Sequence, residues 1–436
     1  MITTAEFSQR RERFMAQMEP SSIAIFPAAS EITRSRDTEF PFRQNSDFHY
    51  LCGFAEPDAV LVLTPGADHK VTLFCRGKDK MMEIWTGRRV GPEKAVAALG
   101  IDAAYSIDEM DEQLRKLING HQTLYYAQGT YADFDAKITD LVSQLRNAPK
   151  RGFKAPSTTI DARTIVDEMR LFKSEQEIAL MAQACSISCD AHKRAMSFTK
   201  PGTTEYQVEA ELHHHFAMNK ARYPAYGTIV GGGNNANILH YTENADKLKD
   251  GDLLLIDSGC ELGGYAADIT RTFPVNGQFS APQAELYQLV LKAQLAALEL
   301  YTPGNTLKIA GDKAIKVLTT GLVELGLLKG DVALLIHDEA YKAFYMHGLG
   351  HWLGLDVHDV GDYQLENRAQ NRKFEAGMVL TIEPGLYVDM DADVEDKYKG
   401  IGIRIEDDIL ITADGHRVLT SEVPKTIADI EALMAQ

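Results

Sequence analysis

The sequence predicts a two-domain chain of mixed α+β class: a smaller α/β domain, then a larger domain of helices and strands that carries the chemistry. Three observations point there. Short apolar, β-rich runs alternate with helical stretches over the first part of the chain. A stretch rich in Pro, Lys, Arg and Ser (147–158) is followed by the capping box Ser174-Glu175-Gln176-Glu177, which opens a long helix. Beyond it, two distant segments are written on one template, each a buried strand that ends in an acid and a turn.

The elements follow in order. Residues 5–18 read as a helix, and Ser22-Ile23-Ala24-Ile25-Phe26 as a strand. Ala59-Val60-Leu61-Val62-Leu63 and Val71-Thr72-Leu73-Phe74 read as neighbouring strands joined through Pro65-Gly66, as in a hairpin. Leu124-Tyr125-Tyr126-Ala127 is a further strand, and 133–146 a helix. The division falls at Lys173, giving domains 1–173 and 174–436. The capping box starts a helix to about Met196, and helices are also expected over 204–219, 282–301 and 307–325.

The repeated template is Gly251-Asp252-Leu253-Leu254-Leu255-Ile256-Asp257-Ser258-Gly259 and Gly377-Met378-Val379-Leu380-Thr381-Ile382-Glu383-Pro384-Gly385, 126 residues apart. It suggests two related halves. Each is followed by a second acid, Asp268 and Glu406. An ionised carboxylate on a buried strand is costly unless a cation or donors answer it, so four of them imply one oxygen-rich site for hard divalent cations. Asp257 and Asp268 flank Leu262-Gly263-Gly264. A turn centred on Leu262-Gly263 sets them directly opposite, and one centred on Gly263-Gly264 makes them diagonal neighbours. Glu383 and Glu406 are expected to repeat the arrangement, with an acidic, exposed loop between Val388 and Gly400.

Histidines complete such a site. His347, His351 and His358 fall within Met346-His347-Gly348-Leu349-Gly350-His351-Trp352-Leu353-Gly354-Leu355-Asp356-Val357-His358-Asp359, whose glycines disfavour a regular helix at its start. His213, His214 and His215 are consecutive on an expected helix, point in different directions and are not expected to be ligands. His240 follows the loop Gly231-Gly232-Gly233-Asn234-Asn235, which fits no phosphate cradle, and there is no Walker or dinucleotide motif.

Composition narrows the partners. The chain has 45 basic and 62 acidic residues, a formal net charge of −17, which argues against nucleic acid or an anionic membrane. No apolar run approaches the ~20 residues of a membrane span. The N-terminus lacks the pattern of a signal peptide. Five cysteines, an odd count without a dense framework, fit a reducing compartment, and the expected location is cytoplasmic.

Taken together these residues resemble the pita-bread metallopeptidases, and within them the Xaa-Pro aminopeptidases, over the whole chain. The resemblance rests on the His347–Gly361 segment, the Asp257/Asp268 hairpin, Thr381-Ile382-Glu383-Pro384-Gly385 and Gly402-Ile403-Arg404-Ile405-Glu406-Asp407, with Phe42-Arg43-Gln44-Asn45-Ser46-Asp47-Phe48 in the first domain. It implies a C-terminal pita-bread (creatinase/aminopeptidase-like) catalytic domain behind a creatinase-like α/β domain. It implies two divalent metal ions, with Asp257 on one, His351 and Glu383 on the other, and Asp268 and Glu406 bridging. Manganese is the favoured ion for a carboxylate-rich site, with Co²⁺ or Zn²⁺ able to substitute.

The implied reaction is hydrolysis of the bond before a penultimate proline by a water activated between the metals. Glu383 would carry the proton. His358 and His240 would stabilise the intermediate, His347 would assist, and Arg404 and Tyr387 would orient the carboxylates. The implied partners are an Xaa-Pro peptide and further copies of the chain, as a dimer or tetramer. Trp352 and Tyr387 are candidates for the proline-ring pocket, and Trp85 resembles a position that narrows the cleft across a subunit contact. The alternatives are a prolidase restricted to Xaa-Pro dipeptides, a catalytically inactive peptide-binding module on the same fold, and a metal-free creatinase-like hydrolase. The full ligand set weighs against the last two.

Overall fold

The computed structural model describes residues 1–365 and 369–436. It forms two compact units, Met1–Arg170 and Leu171–Gln436.

In the first unit, helix α1 (Thr4–Gln17) precedes strand β1 (Ser22–Pro27), helix α2 (Ser46–Cys52), strands β2 (Val60–Leu63) and β3 (Val71–Cys75), and the short helix α3 (Lys80–Thr86). Strand β4 (Ala103–Ser106), helix α4 (Met110–Ile118), strand β5 (Thr123–Tyr126), helix α5 (Ala132–Arg146) and strand β6 (Thr158–Ile160) complete its main frame. The sheet order is β4-β3-β2-β1-β5-β6. β2 runs antiparallel to both neighbours, whereas β1/β5, β5/β6 and β3/β4 are parallel. Alternation along β1 explains the layering. Ile23 and Ile25 pack with Leu114 and Leu141 of α4 and α5, while Phe26 meets Phe14 of α1 edge-on at 5.2 Å. Asn45, in the motif singled out from the sequence, caps α2 by accepting from Phe48 N.

Within α1, Arg10 and Arg11 are buried despite their charge. Their guanidinium groups donate to the carbonyls of Tyr50, Leu51, Leu99 and Gly100. These carbonyls come from segments distant in sequence, so local patterning carries no trace of them. Trp85 lies on α3 and is 81% exposed.

The second unit opens with helix α6 (Glu175–Phe198), started by the Ser174/Glu177 capping box, packed on helix α7 (Glu205–Met218). Strand β7 (Ile229–Gly232) pairs antiparallel with β8 (Leu253–Asp257). β8 leads through β9 (Cys260–Leu262) and β10 (Tyr265–Ala266) to β11 (Thr270–Pro274), forming one interrupted hairpin. Helices α8 (Ala281–Leu298) and α9 (Leu307–Glu324) pack together next. A second interrupted hairpin follows: β12 (Val379–Ile382) and β13 (Gly385–Val388) return as β14 (Ile401–Arg404) and β15 (Asp407–Ile411). No described helix is long and apolar enough to cross a membrane.

Register decides where the acids stand. Leu262 pairs with Tyr265, so the first turn centres on Gly263-Gly264, both with positive φ (60° and 91°). Asp257 faces Thr270, and Asp268 is its diagonal neighbour. In the second hairpin Ile382 pairs with Asp407 and Gly385 with Arg404, which sets Glu383 directly across from Glu406. The second half therefore does not copy the first half's spacing. The hairpins are joined where Glu406 N donates to Thr270 O at 3.0 Å.

Candidate metal centre

Four chain segments converge on one cavity of about 470 Å³, lined by Tyr226, His240, Asp257, Asp268, His347, His351, His358, Glu383, Arg404 and Glu406 among others. All five ligand positions expected from the sequence line it. Asp268, His351 and Glu406 each place one ligand atom within 4.8 Å of the others. Asp257 and Glu383 stand just outside that group. His351 Nε2 lies 3.4 Å from Asp268 Oδ2 and 3.6 Å from Glu383 Oε1. Its other nitrogen, Nδ1, donates to Trp352 O at 3.0 Å. That bond fixes the tautomer and leaves Nε2 free to ligate.

Electrostatics test whether this donor set suits a cation. Burial raises Glu406 well above the usual carboxylate range, with the charges of Asp268, Glu383 and Asp257 adding to it. Burial likewise pushes Glu383 up to about 7, helped by Asp268 and Asp257 against His351 and Arg404. Burial works against a charged His351, but Asp268 and Glu383 outweigh it and hold the ring up to about 9. The centre thus retains protons that a divalent cation would displace. Four carboxylates and one imidazole fit hard or borderline divalent ions.

A surrounding layer holds these side chains. Arg404 Nη2 donates to Asp257 Oδ2 at 2.6 Å, Nε to Thr270 Oγ1 at 3.1 Å and Nη1 to Tyr387 Oη at 3.0 Å. Thr270 Oγ1 donates to Glu406 Oε2 at 2.6 Å. His347 Nδ1 donates to Gly348 O, so its Nε2 accepts from Tyr387 Oη at 2.8 Å. Burial, with the Arg404 charge, pushes His347 down to about 4 and keeps it neutral.

Several residues stand apart from the sequence reading. Trp352 is buried in the core, stacked on Tyr363 at 5.2 Å, rather than lining this cavity. Tyr387 also does not line it and reaches it only through His347 and Arg404. His213, by contrast, was not expected to be a ligand; it hydrogen-bonds Thr228 Oγ1 and lies outside the Asp268, His351 and Glu406 group. Two participants escaped sequence reasoning. The Tyr226 hydroxyl lies 2.6 Å from Asp257 Oδ1 and 2.5 Å from Asp268 Oδ1, one phenolic proton serving two carboxylates. It sits in a short irregular segment with no periodic signal. Thr270 was within reach of inference, since it follows Asp268 by two residues on an expected strand. A larger cavity of about 970 Å³ shares His347, Gly348 and Gly350 but is lined by none of the five ligand positions.

Comparison with known proteins agrees with this geometry. Residues 179–413 match the family described as metallopeptidase family M24, and residues 7–125 match the aminopeptidase P N-terminal domain. The chain belongs to metallopeptidase family M24, and its second unit has the pita-bread fold. Within that family it is similar over its whole length to Xaa-Pro aminopeptidases. It is 51% identical over 436 residues to the Xaa-Pro aminopeptidase of Escherichia coli strain K12, covering 99% of this chain and 98% of that one. It is 35% identical over 459 residues to human Xaa-Pro aminopeptidase 3, covering 100% and 87%. The solved structure of Pseudomonas aeruginosa aminopeptidase PepP is similar with a TM-score of 0.98 at 49% identity, covering 100% of this chain and 98% of that one. Zinc-substituted E. coli aminopeptidase P in complex with product gives 0.97 at 51%, with the same coverage.

Proposed function

We propose that this chain is an aminopeptidase that hydrolyses the bond between an N-terminal residue and a penultimate proline, using two divalent cations held by Asp257, Asp268, His351, Glu383 and Glu406. The observation that carries the reading is the convergence of these five side chains, with His240, His347 and His358, on one cavity of peptide-binding size. Manganese is the proposed ion, from the excess of carboxylate oxygen over nitrogen ligands. Bound in pairs, such ions supply Lewis acidity and an activated water at neutral pH.

The residues supply the rest. Glu383, in the cavity and partly open to it, accepts and returns the proton. His240 and His358 donate hydrogen bonds to the carbonyl oxygen as it gains charge. His347 is already committed through both ring nitrogens, so it orients Tyr387 and the cavity wall rather than carrying a proton. Arg404 fixes Asp257 and Tyr387. A proline nitrogen has no hydrogen to donate, so an enzyme for this bond must recognise the ring by shape. We also propose a cytoplasmic location, consistent with five buried free cysteines, and a homo-oligomer, consistent with Trp85 exposed beside exposed Met81, Met82 and Ile84.

The test is to strip the protein with chelator, restore Mn²⁺ and follow release of the first residue from an Xaa-Pro-Xaa tripeptide beside an Xaa-Pro dipeptide. Metal-restored tripeptide cleavage is expected. Cleavage of the dipeptide alone would mean a prolidase, and cleavage of neither would leave a peptide-binding module.

A further inference from the structure

His358 stands in the cavity wall beside the ligand position His351. Among the described residues its imidazole makes an edge contact with His351, ring centroids 4.3 Å apart at 84°, and no hydrogen bond. Its reach into the cavity is therefore set by its backbone. That backbone is tied at Gly354, whose carbonyl accepts from Ala266 N at 2.8 Å, and again at Asp359, whose N–H donates to Trp352 O at 2.9 Å.

An ion pair stands at the second of these ties. Lys173 Nζ lies 3.0 Å from Asp359 Oδ2, and each side chain is 1% exposed. Lys173 is itself fixed, since its N–H donates to Gly377 O at 2.9 Å, just before the strand that leads to Glu383. Gly354 makes the room. A Cβ there would lie 2.1 Å from Asp359 Oδ2 and 3.0 Å from Lys173 Cε. Gly354 does not adopt positive φ, so space and not backbone conformation requires a glycine at this position. A buried ion pair is weak evidence for stability, because desolvation offsets its attraction. Its buried, short geometry instead fixes the position of whatever it joins.

We propose that Lys173 and Asp359 are positioning residues that set the place of His358 relative to the substrate carbonyl. The inference rests on the peptidase reading. Neither residue is a ligand position, so the pair acts on catalysis without acting on metal content.

The experiment is a double-mutant cycle. Wild type, Lys173→Met, His358→Ala and the double variant are compared for kcat and KM on an Xaa-Pro-Xaa tripeptide, with bound metal and melting temperature measured on each. Lys173→Met is expected to lower kcat about 10-fold or more, as loss of alignment does, with metal content unchanged. In the His358→Ala background the same change is expected to cost less than about 2-fold, because the group it positions is gone. An equal loss in both backgrounds, a loss that follows metal content, or an unchanged kcat in Lys173→Met would overturn the proposal. Should Lys173→Met fail to fold, Asp359→Asn, nearly the same size, takes its place in the cycle. If wild type cleaves no Xaa-Pro peptide, the peptidase reading falls. The His358 ring resonances, shifted or unshifted between wild type and Lys173→Met, would then decide the positioning claim separately.

Discussion

The two acid-bearing hairpins begin on the same template and are closed in different ways. The first turns through Gly263-Gly264, and its Asp257 and Asp268 sit diagonally, a spacing of about 7–8 Å with the Cβ atoms somewhat nearer. The second makes an excursion from Asp389 to Gly400, and its Glu383 and Glu406 face each other directly, where Cβ atoms are about 5 Å apart. The diagonal pair uses short side chains joined by the Tyr226 hydroxyl, and the facing pair uses longer ones. The repeat therefore specified a buried strand and a terminal acid, while register set each acid's position. The supports differ as well. His192 Nε2 donates to Ser258 O under the first hairpin. Under the second, Asp407 is held by Arg271 and Lys425, each at 2.7 Å.

The sharpest way to break this comparison is to neutralise one acid from each hairpin. Glu406→Gln should lose bound metal and lower activity by more than about 100-fold, beyond the usual cost of altering groups around a ligand. Asp257→Asn leaves the Asp268, His351 and Glu406 group intact and should retain about one equivalent of metal. Metal analysis after dialysis checks both, and full activity in Glu406→Gln would remove the proposed centre.

A smaller effect separates the supports. Burial pushes His192 down to about 4 from an ordinary 6.5. Between those values the unfolded chain binds the proton and the folded one does not, so stability falls as pH drops through that window. The His192 share is up to about 3 kcal/mol. Burial would raise Asp407, but Arg271 and Lys425 outweigh it and hold it below the usual range. Its contribution is present above the unfolded value near 3.8 and is lost only below that. His192→Gln should therefore flatten part of the stability loss between about pH 6.5 and 4. Urea unfolding across that range reads it, and an unchanged slope would mean His192 is not the titrating support.

The smallest effect concerns the closures. Gly263 has a φ of 60°, and a Cβ there would lie 3.0 Å from Leu180 Cδ2, so Gly263→Ala should cost about 1–2 kcal/mol. Asp393→Asn, in the exposed excursion, should stay within about 0.5 kcal/mol. Thermal melts of the two variants test whether the first closure alone is constrained.

Much of this was legible in the chain. The helices over 4–17, 132–146, 175–198 and 281–298 and the paired strands around Pro65-Gly66 follow from periodicity, capping and turn chemistry, which are local. The acids were legible because a carboxylate ending an apolar strand demands an answer, and the histidines because His347, His351 and His358 cluster in one short segment of a chain that also carries those acids. The burial of Arg10 and Arg11, the placement of Trp352 in the core, and the roles of Tyr226 and Lys173 were not legible. Each depends on partners tens or hundreds of residues away.

The sequence by itself determined the secondary elements and the kinds of side chain offered to the candidate centre, carboxylates and imidazole that suit a hard cation, since these depend on side-chain chemistry and short-range pattern. The tertiary structure alone decided that Asp257 and Asp268 are diagonal while Glu383 and Glu406 face each other, that one phenol joins two carboxylates, and that Lys173 reaches Asp359. The reason is physical. Strand register and the burial of charge are settled by contacts between distant segments, and those contacts exist only once the chain has closed around its core.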